Sequence, residues 1–388
     1  MSAAIIRGFG VGMISGSSSK EGTTRYAERF SRAVERAAFR RFDRKSLSSV
    51  GVGTYLGSHS AVDDDAYTQS ITHALQHGVN VIDTSINYRH MCSERVVGKV
   101  IRSLVDSGQL KRDEIFISTK GGYIPYDAAS GLPMDAYTRQ TFFDSGLLDP
   151  EEVIGTSHSL DPKFLKHQIE TSRKNLGLET IDLYYLHNPE TQLLQLSRED
   201  FLGQLKAAFT ALEEAVKCGQ ICHYGLATWN GFRVEDFDKS FLSLAEVLSV
   251  AEAVGGAEHH FRAVQVPLNL SKVEALSLRS QRLPGKPDLM TLLTAAIQLK
   301  LGVFTSAALD QGKLTRLLPP SVQTQFPRLA SDSQRAVQFA RSCPGVTTTL
   351  VGMKTLAHVK DILGLLEHSP AAGENFLRFY DKPVNSMR

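Results

Sequence analysis

From Ser49 onward, a short apolar run followed by an amphipathic helical pattern recurs eight times, and this recurrence limits the fold more than any other feature of the chain. The apolar runs occupy residues 50–56, 79–85, 115–120, 181–187, 224–228, 263–268, 301–306 and 348–351. They are rich in β-branched residues and too short for helices, so they read as strands. The helical patterns lie near 64–77, 93–106, 162–176, 198–218, 234–254, 287–299, 333–341 and 355–366. Eight such units in 388 residues predict an α/β fold of the closed (β/α)8 TIM barrel type rather than an open sheet. Two long insertions, 123–161 and 269–286, each follow a strand. In a barrel they belong on the catalytic face, as lids or pocket walls.

Composition excludes several classes of partner. A hydrophobic fraction of 42% supports a sizeable core, and a net charge of +2 gives no electrostatic case for nucleic acid or an anionic membrane. No apolar run reaches the roughly 18 residues of a membrane span. Four cysteines, Cys92, Cys218, Cys222 and Cys343, are too few and too scattered for a disulfide scaffold, which makes the cytoplasm the default location. Residues 1–24 are rich in Ser and Gly with one acid, Glu21, a pattern compatible with an organellar import signal. Only Arg7 and Lys20 precede Arg25, so a flexible amino-terminal extension is the simpler reading, and its removal is expected to leave the barrel intact. Residues 26–41 place Arg and Glu among Ala and Phe at helical spacing, which predicts a helix across the outside. The division expected is therefore a 1–43 extension and a 44–388 barrel.

The stretch 79–88, Val-Asn-Val-Ile-Asp-Thr-Ser-Ile-Asn-Tyr, reads as a strand that ends in a reactive loop. Asp83 arrives at the strand's exit, and a carboxylate buried there needs a cation. Lys120, which ends the next strand, is the candidate. A dinucleotide-binding open sheet is the main competitor, but in Gly51-Val-Gly-Thr-Tyr-Leu-Gly57 the third glycine comes one residue late and a loop follows instead of a helix. No metal site is expected. His73 and His77 stand four apart without the acid of a zinc helix, and Cys218 and Cys222 lack a second ligand pair. His158, Tyr123, Tyr126, Phe142 and Phe143, all in the first insertion, are candidates for pocket lining or loop packing.

Three runs on successive strands, Asp83-Thr-Ser-Ile-Asn-Tyr88, Ser118-Thr-Lys120-Gly and Asp182-Leu-Tyr-Tyr-Leu-His187, together resemble the aldo-keto reductase superfamily. The likeness covers about residues 44–366 and includes Gln265 and the Val351-Gly-Met-Lys-Thr355 run. It implies an oxidoreductase that binds NADP(H), or less often NAD(H), across the C-terminal face of the barrel and acts on a small carbonyl or alcohol. By position, Asp83, Tyr88, Lys120 and His187 correspond to the catalytic tetrad. The resemblance assigns Gln265 and Thr228 to the nicotinamide carboxamide, and Gly352, Met353, Lys354, His358 and Asp361 to the phosphates and adenine. Thr54, Ser306 and Leu309 complete the cofactor-binding set that it implies.

The sequence departs from the family at three of these places. Gly225-Leu-Ala-Thr-Trp229 replaces a more usual Gly-Val-Ser-Asn-Phe, Ser306 stands where an aromatic often stacks, and Ile362 replaces an Asn beside Asp361. The catalytic expectation also has a chemical basis. A tyrosine with a pKa near ~10 gives up its proton reluctantly, and a neighbouring ammonium such as Lys120 would lower that pKa. His187 would orient the carbonyl. No acid lies between Gly352 and Lys360, which favours NADPH over NADH. Two alternatives remain open at this point: a cofactor-carrying regulatory or redox-sensing subunit with little turnover, and a TIM-barrel lyase or isomerase using Lys120.

Overall fold

Each of the eight apolar runs becomes one strand of a closed parallel barrel. In the computed structural model, which describes residues 12–155 and 157–371, an antiparallel hairpin of β1 (Phe39–Phe42) and β2 (Lys45–Ser48) comes first. Then follow β3 (Val50–Gly53), β4 (Val81–Asp83), β5 (Phe116–Gly121), β6 (Ile181–His187), β7 (Ile221–Ala227) and β8 (Phe261–Pro267). A short antiparallel pair, β9 (Arg279–Gln281) and β10 (Met290–Thr291), sits in the second insertion. The last two strands are β11 (Gly302–Ser306) and β12 (Val346–Gly352). The ring runs β11-β12-β3-β4-β5-β6-β7-β8 and closes by parallel pairing of β8 with β11.

Helices cover the outside and bury their apolar faces against the strands. Those at Pro162–Leu176 and Arg198–Lys217 keep almost the bounds that periodicity predicts, each started by a capping side chain, Asp161 or Ser197. Two others are shorter than predicted. The helix expected over 234–254 begins only at Leu244, where Ser243 caps it. The one expected over 287–299 shrinks to Leu292–Gln298, because β10 draws the preceding residues into a hairpin. Among the described residues, no helix is long and apolar enough to cross a membrane.

The amino-terminal region differs most from expectation. The helix predicted over 26–41 lies instead at Lys20–Arg29, with Ser19 accepting from the Gly22 amide as its cap. Residues 12–24 are not a loose extension of the barrel. Ile14 bridges to Leu178, the Ser18 amide donates to Asp182 Oδ1 at 2.6 Å, and fully buried Tyr26 donates to the Leu75 carbonyl at 2.6 Å. Arg25 and Arg29 both reach buried Glu114. The import reading of residues 1–24 falls partly outside the described residues.

Residues 39–48 then plug the bottom of the barrel. Phe42 packs edge-on against Phe116 and Phe304 at 5.6 and 5.5 Å between centroids. A side chain on Gly302 would collide with it, its Cβ meeting the Phe42 ring at 2.4 Å. The hairpin turn uses Asp43 and Arg44 at φ 44° and 67°, the left-handed pair such a tight turn needs but here without glycine. Without that glycine the turn carries no hairpin signal, and the expected helix over 26–41 runs into the first three residues of β1.

Candidate active site

The strand ends place the chemistry. Asp83 is the last residue of β4, Lys120 the last but one of β5, and His187 the last of β6, so three polar groups converge at the C-terminal mouth. Lys120 Nζ lies 2.5 Å from Asp83 Oδ2 and also donates to the Thr84 carbonyl at 2.8 Å. Asp83 Oδ1 accepts from Ser118 Oγ at 2.7 Å and from Gln265 Nε2 at 2.9 Å. Every lone pair of a carboxylate buried to this depth needs such a partner. Burial works to neutralise Lys120, but Asp83 and Tyr88 outweigh it and hold the ammonium above its ordinary range.

Tyr88 follows on the loop after β4, with its ring centroid 4.8 Å from Lys120 Nζ. Its ring also meets Tyr55 at 5.1 Å and His187 at 5.9 Å. Lys120 pulls the phenol's pKa down as expected, but burial sets the net direction. Burial pushes Tyr88 up, and Lys120 offsets only part of the rise. The hydroxyl therefore stays protonated at neutral pH, as a proton donor requires, and the ammonium is in place to stabilise the phenolate once the proton leaves.

His187 is held neutral by burial, with Lys120 and His158 adding to the effect. His158 acts behind it, a placement that the sequence did not single out. Its Nε2 donates to the His187 carbonyl at 2.7 Å, and its Nδ1 accepts from Gln192 Nε2 at 2.6 Å. Those partners require a neutral imidazole, and burial takes His158 down to about 4. Gly122, at φ 131°, leaves the space; a Cβ there would meet His158 Nε2 at 3.0 Å. Tyr123 packs edge-on against both imidazoles, 4.8 Å from His158 and 5.0 Å from His187. The first insertion thus buttresses the end of β6.

The cofactor-binding candidates divide. Thr54 sits beside the tetrad, with its hydroxyl donating to the Asp83 carbonyl at 3.2 Å. Thr228 is buried, and its hydroxyl has no partner among the described residues. Gln265 already gives one N–H to Asp83, so its carbonyl oxygen and second N–H are what it can offer a ligand. Ser306 and Leu309 are half-buried at the exit of β11. Gly352, the last residue of β12, is half-buried, and Met353 after it points into the core, leaving its backbone as the available part. Thr355 caps the His358 amide, so the first-turn amides of Leu356 and Ala357 remain as anion donors beside exposed His358.

Two of these residues are engaged differently from expectation. Asp361 accepts from Ser331 Oγ at 2.8 Å and from the Gln334 amide, so its carboxylate ties two helices together. Lys354 donates to Asp63 Oδ1 at 2.7 Å. The sequence window 352–360 holds no acid, yet folding brings one there from the helix Ala61–Leu75. An orphaned buried hydroxyl, the two first-turn amides that Thr355 does not cap and the Lys354 cation still fit a phosphate-bearing dinucleotide. A cavity of about 780 Å³ opens elsewhere, between Leu193, Arg198, Phe241 and Leu283, and no tetrad residue lines it. Among the described residues, no group of three or more His, Cys, Asp or Glu could hold a metal ion.

Comparisons with known proteins bear on the family and the fold. The chain is 26% identical over 147 residues to an NADH-specific methylglyoxal reductase of Escherichia coli K12, covering 37% of this chain and 38% of that protein. It is 27% identical over 172 residues to a D-threo-aldose 1-dehydrogenase of a Pseudomonas species, covering 43% and 45%. The chain thus spans less than half the length of these two relatives. A Schizosaccharomyces pombe protein described as a putative voltage-gated potassium channel subunit beta is 25% identical over 363 residues, covering 87% and 90%. An aldo/keto reductase from Klebsiella pneumoniae, solved in complex with NADP and acetate, shares the fold at a TM-score of 0.60 and 19% identity, covering 89% of this chain and 96% of that one. A sequence model described as the Aldo/keto reductase family matches residues 49–250, more than half of the chain, and the protein belongs to that family.

Proposed function

We propose that this protein is an NADPH-dependent reductase of aldehydes or ketones, with Tyr88 as the proton donor. The observation that carries the reading is the sealed Asp83–Lys120 pair set against the Tyr88 ring. When bound, the reduced nicotinamide supplies the hydride. Tyr88 gives its hydroxyl proton to the carbonyl oxygen, and Lys120 stabilises the phenolate left behind. Neutral His187 orients the substrate oxygen, and His158 and Tyr123 fix its position. Thr228 and Gln265 are assigned to the carboxamide, and Lys354, His358 and the first-turn amides of the Leu356–Leu363 helix to the phosphates. A Lys120 held as an ammonium by Asp83 is a poor Schiff-base nucleophile, which weighs against the lyase reading.

The subunit reading has one observation in its favour, the near full-length alignment with the S. pombe relative described as a channel subunit. Fluorescence titration with NADPH and NADH, followed by multiple-turnover assays on a panel of aldehydes and ketones, separates the two. Binding with sustained turnover is expected. Binding without turnover would favour the subunit, and absence of binding would remove both.

A further inference from the structure

Lys354 is not a free cation awaiting a phosphate. Its Nζ is 2.7 Å from Asp63 Oδ1, and Asp63 is itself held in place by the loop before it. The Ser58 amide donates to Asp63 Oδ2 at 2.6 Å and the Ser58 hydroxyl at 3.1 Å. Ser58 is pinned in turn by Arg89, whose Nε donates to its carbonyl at 2.7 Å. Gly57, at φ 111°, lets the loop press inward, since a Cβ there would meet Asp63 Oδ2 at 2.7 Å and the Lys354 chain at 3.3 Å. Lys354 and Ser58 keep the carboxylate ionised, down to about 2. Asp63 is therefore a fixed negative charge built into the Lys354 site.

We propose that Asp63 is a specificity-determining residue that reduces this protein's preference for NADPH over NADH. The inference rests on the assignment of Lys354 to the cofactor's phosphates under Proposed function, and takes the one on the adenosine ribose as its partner. A phosphate approaching Lys354 must share the cation with Asp63 and meets its charge at close range. A ribose hydroxyl suffers no such repulsion, and acids near that hydroxyl are the common device by which dinucleotide sites accept NADH. The acid reaches this place from the first helix of the barrel, not from the segment that holds Lys354.

The test is the variant Asp63→Asn, which keeps an acceptor for the Ser58 amide and removes the charge. Dissociation constants for NADPH and NADH are measured by fluorescence titration on wild type and variant. Adenosine 2′,5′-bisphosphate and adenosine 5′-monophosphate are measured by calorimetry to isolate the extra phosphate. The expected result is that NADPH and the bisphosphate tighten about tenfold while NADH and the monophosphate stay within about twofold. An unchanged ratio would overturn the proposal, as would equal weakening of all four ligands, which would make Asp63 only a support for its loop. Asp63→Ala repeats the measurement if Asp63→Asn does not fold. Wild type that binds neither dinucleotide would instead remove the proposed function itself.

Discussion

Lys120–Asp83 and Lys354–Asp63, two Lys–Asp pairs of nearly equal length at the C-terminal mouth of the barrel, sit in opposite surroundings. Lys120–Asp83 spans 2.5 Å with side chains 1% and 6% exposed; Lys354–Asp63 spans 2.7 Å with side chains 32% and 13% exposed. The inner pair is enclosed by Ser118, Gln265 and the Thr84 carbonyl, so neither charge has anywhere else to go. The outer pair borders solvent, where water can replace either partner at little cost. Burial, not pair chemistry, therefore decides whether such a contact is fixed machinery or an exchangeable one. The inner pair is suited to tune a proton donor, and the outer pair to be reorganised by a ligand.

The largest expected effect tests whether the inner pair serves chemistry at all. Tyr88→Phe removes one hydroxyl and keeps the ring against Lys120 and His187. Carbonyl reduction is expected to fall by about a thousandfold while NADPH affinity stays within about twofold of wild type. Steady-state kinetics together with cofactor titration check both halves. Turnover near the wild-type rate would place the proton donor elsewhere.

Next comes the pair itself. Lys120→Met leaves Asp83 as a buried carboxylate without its cation, a change that costs roughly 3–5 kcal/mol. Thermal or urea unfolding should show a loss of that size together with loss of turnover. Truncating the outer lysine should cost under about 1 kcal/mol. Similar losses at both sites would abolish the distinction drawn between them.

The same contrast explains what could be read from the sequence. The inner site was legible because its residues end strands whose apolar runs announce them, and a barrel brings such ends together by topology alone. Gln265, inside β8, is singled out only by the family resemblance, and its bond to Asp83 has no signal in the sequence. The outer pair was invisible because Asp63 lies in a helix's first turn, 291 residues from Lys354, where an acid is ordinarily a favourable neighbour of the helix dipole. His158 was noticed only as a member of an insertion; its contact with the His187 carbonyl depends on how that loop folds back. The plug hairpin escaped for a simpler reason. Its first strand is half arginine, its turn lacks glycine, and its one informative residue, Phe42, needs Gly302 to make sense.

Acid should separate the two regions further. Burial holds His158 down to about 4, whereas the unfolded chain protonates it near 6.5. Between those values the unfolded state binds more protons, so stability is full above about pH 6.5 and falls as pH drops toward 4, by up to about 3 kcal/mol from this group. Asp63, by contrast, is depressed to about 2, so its pairing persists through that whole window and is lost only below it. Urea midpoints measured from pH 7.5 to 4.5 should decline, and His158→Gln should flatten the decline. A profile with the same slope in wild type and variant would show that His158 is not buried in its neutral form.

The smallest expected effect is also the most selective. Lys354→Ala removes a half-exposed cation from the outer pair and leaves Asp63 with its Ser58 bonds, so the fold should stand. A charge-assisted contact to phosphate is worth roughly 1.5–3 kcal/mol, but Asp63 already neutralises part of the cation. The expected loss therefore lies at the low end, about tenfold in NADPH affinity, with NADH nearly unchanged. The variant also bears on the exchangeable character of the outer pair, because a rigid pair would offer the phosphate little and its removal would leave NADPH affinity unaltered. Equal weakening of both dinucleotides would move Lys354 to the pyrophosphate that they share. A loss near a hundredfold would mean that the ammonium swings clear of Asp63 when the cofactor binds, making the outer pair a latch and not a fixed neutraliser.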